Sequence, residues 1–228
     1  MRIPVIIASL MLSLTVQAQT ATPVFGIGAD GSIETNAALI GPFYDDPGIK
    51  NLTCVLNSST GVSLGSRSYD VRTGYFEEEW YETERGRDGF TVIAIYSGDR
   101  EIFELRQPEM WTHTYAGRST MDYRPHTDNR YFIPIAVSEQ AVALAFVGWP
   151  YGGEMPYLTI VALADRDARL VFNKHMGIKA IARSSDSFAM ELQANIVECG
   201  ADGKPFDTPN NVPVIRRLEV KDGLLYFE

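Results

Sequence analysis

The order of apolar and polar positions along the chain predicts strands rather than helices. Mainly apolar runs recur at strand length, most of them bounded by Gly, Asp, Asn or Pro: 89–96, 101–105, 131–137, 141–149, 157–164, 168–172, 188–197, 214–220 and 224–227. Within 188–197, Phe188, Met190, Leu192, Ala194 and Ile196 alternate with Ala189, Glu191, Gln193, Asn195 and Val197, the period of a strand with one buried face. Segment 173–182 makes no convincing helix, because Gly177 interrupts it and an interior Gly costs a helix about 1 kcal/mol against Ala. Pro134 has no N–H to give to a ladder, so the run around it is expected at an edge or a bulge.

The turns set the pairing. Ser97-Gly98-Asp99-Arg100, Ala164-Asp165-Arg166-Asp167 and Lys221-Asp222-Gly223 each separate two runs by a few residues, with Gly or Asp where a hairpin needs positive φ or a local side-chain bond. Parallel strands would need crossovers of a dozen residues or more, so the pairing is antiparallel. The expected fold is all-β, an antiparallel sandwich or barrel-like sheet built from hairpins. The hairpins of 91–105 and 158–172 resemble each other and a third in 214–227. The spacing of the first two is longer than the roughly 40 to 50 residues of a propeller blade, and antiparallel hairpins are alike in general.

The start of the chain differs from this pattern. Arg2 and the amino terminus precede an apolar run from Val5 to Val16, followed by Gln17 and Ala18, which is the layout of a secretory signal with cleavage after Ala18. A membrane-spanning helix needs roughly 20 residues, and no later stretch reaches that length, so no membrane anchor is expected. The expected organisation is a signal peptide at 1–18, an irregular lead-in at 19–50 rich in turn-forming residues, and a single β-rich domain at 51–228. The expected location is periplasmic or secreted.

Composition narrows the partners. Twenty Lys and Arg against 29 Asp and Glu give a formal net charge of −9, which disfavours phosphate backbones, so nucleic acid is not an expected partner. Cys54 and Cys199 would meet an oxidising compartment after export, where an even pair usually becomes a disulfide. Closing so long a loop contributes up to about 5 kcal/mol in the chain-entropy model.

Catalytic signatures are lacking. His113, His126 and His175 have no metal-site spacing, and no Gly-x-Ser-x-Gly elbow is present, so no metal and no cofactor are expected. Two of the histidines lie in a polar, aromatic segment, 111–129, long enough to be a functional loop. The acidic cluster Glu77-Glu78-Glu79-Trp80-Tyr81-Glu82-Thr83-Glu84 could supply paired carboxylates, or could be an edge strand guarded by charge. Asp165 and Asp167 have the spacing of a calcium loop but lack its remaining ligands and its glycine, so turn chemistry explains them better. Asn51 and Asn57 match the glycosylation acceptor pattern. The loop from Trp149 to Tyr157 carries aromatics of the kind that recognise sugars or proteins, or that cap a core, and Trp149, Tyr151, Tyr157 and Trp80 are the candidate binding residues. The expected function is binding of an envelope protein or glycan by an exported soluble β-rich domain; the alternative is a carboxylate-dependent secreted hydrolase.

Overall fold

The structure, a computed structural model, describes residues 21–41, 52–78, 89–108, 110–113, 132–150, 155–184, 187–201 and 203–228. At 52–57, 75, 77, 78, 89, 90, 108, 110–113, 149 and 150 it describes the backbone path alone. All regular pairing is antiparallel, and the described residues hold no α-helix.

Three sheets form a layered sandwich. The middle sheet has the order β12 (Asp167–His175), β11 (Tyr157–Ala164), β10 (Ala141–Pro150), β8 (Met110–His113), with β9 (Ile133–Ser138) beside β10 on the same side as β8. One outer sheet is β4 (Leu52–Leu64), β5 (Arg67–Glu78), β6 (Gly89–Ser97), β7 (Arg100–Pro108). The other is β1 (Thr22–Pro23), β16 (Leu224–Phe227), β15 (Ile215–Lys221), β14 (Phe188–Gln193), β13 (Gly177–Arg183). A small hairpin of β2 (Phe25–Ile27) and β3 (Ile33–Thr35) completes the described strands. The sandwich reading thus holds, and the described sheets close no barrel.

The middle sheet is covered on both faces, which explains its near-continuous apolar runs. Every residue of β11 is buried, as are 141–148 of β10. The two faces differ in bulk. Ala141, Ala143, Ala145, Ala162 and Ala164 face the core shared with Phe188, Met190, Leu192, Leu218 and Leu225. Val142, Leu144, Phe146, Val161 and Leu163 face the core shared with Tyr69, Val71, Ile93 and Ile95. Alanines on one side leave room for the larger side chains of β14 and β15, and bulky residues on the other pack against those of β5 and β6. The Pro134 strand is an edge, pairing with β10 alone among the described strands.

The lead-in carries more order than its sequence pattern shows. Val24, Phe25, Ile33 and Leu39 belong to the core, and Gly41 donates to the carbonyl of Asn173 at 2.8 Å. Its strands run two or three residues, too short for alternation to register in sequence.

Candidate functional site

A cleft of about 770 Å³ opens where β4, β9 and two hairpin turns of the β13–β16 sheet converge. Its apolar floor draws on both cores: Val62, Phe132 and Val142 from one, Phe188 and Val220 from the other. The Phe132 ring is held against Phe146, with centroids 5.5 Å apart.

The turns deliver charge to the rim. Between β15 and β16, Asp222 and Gly223 have φ of 51° and 74°, so two successive left-handed residues make the tight turn that Asp-Gly favours. That turn carries Lys221 and Asp222 to the opening. Between β13 and β14, Ser184 N–H donates to the Ser187 carbonyl at 2.9 Å and their hydroxyls lie 2.7 Å apart. The turn sets Arg183 beside them, where its Nη2 donates to the Pro134 carbonyl at 2.7 Å. The same guanidinium lies 5.6 Å from the Phe188 ring centroid. Two cations over an apolar floor, with hydroxyls beside them, suit an extended ligand that is partly apolar and partly anionic.

Next to the cleft, the outward face of β5 carries a charge network. Asp70, opposite Gly61 in the ladder, accepts from Ser59 Oγ at 2.5 Å and from Arg72 Nε at 2.7 Å. Burial pushes the Asp70 carboxyl up, but the Ser59 and Arg72 interactions outweigh it and hold the group below its ordinary range. Arg72 also sits 4.2 Å from the Tyr96 ring centroid, and the Tyr96 hydroxyl, donating to Glu101 at 2.8 Å, is held above its usual value by that bond. These carboxylates are committed to structural bonds.

Several expected residues lie outside the described residues: Tyr151, Trp80, His126, Asn51, most of the acidic cluster, and the side chains of Trp149, His113, Asn57 and Cys54. On the backbone, Trp149 belongs to β10 and stands opposite Trp111 of β8. Tyr157 is 5 % exposed, with its ring centroid 3.7 Å from that of His175. Its ring therefore caps the end of a sheet and does not stand on an open surface. Cys199 is free and exposed. Asp165 pairs with Arg67, while Asp167 accepts from the Ile33 N–H at 3.1 Å and pairs with Arg169, so both serve the turn and its neighbours.

Sequence reasoning missed Arg183 and Lys221, which look like any solvated cations until the turns bring them to one opening. It also missed a surface feature. Among the described residues Ile196, Phe206, Val212, Val214 and Ile215 are the exposed large hydrophobics, and all lie in or beside the 194–214 loop. Asn211 ties that loop together, accepting from Glu198 N–H and donating to the Glu198 and Phe206 carbonyls. Among the described residues no group of His, Cys, Asp and Glu could hold a metal ion. Comparison with protein families, with characterised proteins and with solved structures returned no match.

Proposed function

We propose that this chain is an exported β-rich binding module of the cell envelope, whose cleft takes a protein or glycan ligand. The observation that carries the reading is the cleft: about 770 Å³, an apolar floor, and Arg183 and Lys221 on its rim. The N-terminal segment supports export to the periplasm or medium, where such a module would meet its partner. In the same oxidising compartment Cys199, exposed, is available to pair with Cys54.

Hydrolysis by paired carboxylates would need a second acid facing Asp222, the carboxylate lining the described cleft. The test is capture from envelope extract with the chain beginning at Gln19, beside its Arg183→Glu/Lys221→Glu variant. A specific partner that the parent retains and the variant loses supports the reading. Recovery of no specific partner, together with turnover of a glycan or ester library, refutes it in favour of the hydrolase.

A further inference from the structure

Two edge strands line the cleft: β9, which pairs with β10 alone, and β4, which pairs with β5 alone among the described strands. In an antiparallel ladder, alternate residues turn N–H and C=O away from the neighbouring strand. Pro134, opposite Leu144, is one of these: it has no N–H for the ladder, and its carbonyl accepts from Arg183 instead. The register then puts Ala136, opposite Val142 and exposed, in the same class, so its N–H and C=O face the open edge. On β4, Gly61 has nothing within 4 Å of where a Cβ would stand. A glycine inside a strand often marks where another backbone comes close.

Charge selects the occupant. Arg183 and Lys221 outnumber Asp222, the one carboxylate among the described lining residues, and neither forms an ion pair among the described residues, in a chain whose net charge is −9. An open strand edge suits a peptide ladder, whereas a sugar needs exposed aromatic faces, and Phe132 and Phe188 are buried. We propose that the cleft receives an extended, acidic polypeptide segment as an added strand along β9. This rests on the cleft being the ligand site and names the class of ligand. The added strand pairs with Ala136, and its carboxylate draws the Arg183 guanidinium from the Pro134 carbonyl, which that guanidinium covers in the free protein.

The test uses the full chain and a library of short peptides alternating Glu with apolar residues, read by fluorescence anisotropy. Methylating alternate backbone nitrogens of the tightest binders should weaken them by about tenfold or more, because the ladder hydrogen bonds are lost. Ala136→Pro should act the same way, while Ala136→Ser, which keeps the N–H, should bind like the parent. Undiminished affinity after methylation overturns strand addition, and needs no protein variant that might misfold. Binding of an acidic oligogalacturonate that Arg183→Glu/Lys221→Glu abolishes, with no peptide bound, overturns strand addition while the cleft reading stands. If neither probe binds, both fall.

Discussion

Replacing Thr159 with Val should destabilise the protein through the polar contact that joins the middle sheet to the β4–β7 sheet. Thr159 on β11 is 1 % exposed; its hydroxyl accepts from Gln107 Nε2 on β7 and donates to Asn173 Oδ1 on β12, both at 2.7 Å. Gln107 and Asn173 are themselves buried. Valine has nearly the same shape but leaves the Gln107 N–H and the Asn173 Oδ1 without that partner. Each orphaned buried group costs about 1 to 3 kcal/mol. The methyl group returns about 0.8 kcal/mol of burial. The net is about 3 kcal/mol, or about 6 to 12 °C in Tm for a domain of this size. The triple variant Gln107→Leu/Thr159→Val/Asn173→Leu removes every partner at once and should recover most of the loss. Asn173 Nδ2 has no hydrogen-bond partner in the parent, so its removal also relieves an existing cost. Thermal unfolding by circular dichroism decides: a Thr159→Val midpoint within about 2 °C of the parent would refute the reasoning.

Gly41→Ala should loosen the lead-in, because a Cβ there would stand 2.7 Å from the Asn173 carbonyl oxygen, a backbone atom of a buried strand. Faster proteolysis of the 21–40 segment is the expected reading, together with a stability loss of about 1 to 3 kcal/mol. Asp70→Asn should lower stability at neutral pH by less than about 1 kcal/mol, since the side chain is a third exposed. The Asp70 pKa is lowered in the folded state from its ordinary 3.8, so its contribution is present above that value and lost as pH falls through the folded pKa. Melting curves of parent and variant should therefore converge in acid; a gap that stays constant there would count against the bonds to Ser59 and Arg72. Mass spectrometry of exported protein after non-reducing digestion should find Cys54 joined to Cys199, and alkylatable thiols at both positions would exclude the bridge.

The sequence by itself determined the strand class, the antiparallel pairing and the turns of three hairpins, β6–β7, β11–β12 and β15–β16. Period-two alternation marks a half-buried strand such as β14, and Asp222-Gly223 needs no distant partner to make its turn, because local backbone sterics decide it. The β4–β5 hairpin was not legible, although its strands are the longest described. Its residues are largely Ser, Thr and Gly with charges, and they become strand by pairing with β6 and by covering the middle sheet. Tyr157 shows the same limit from the other side. Aromatics flanking a loop read alike whether they end a core or greet a partner, and the pairing of β11 with β12, which sets His175 against the Tyr157 ring, leaves that ring buried. The cleft was settled by tertiary structure alone. Arg183, Lys221, Pro134 and Gly61 are scattered along the chain, and what joins them is the register of β9 on β10 and the turns that bring three sheets to one opening. Local propensity acts over a few residues, whereas a site at a junction of sheets depends on long-range pairings that no single segment encodes.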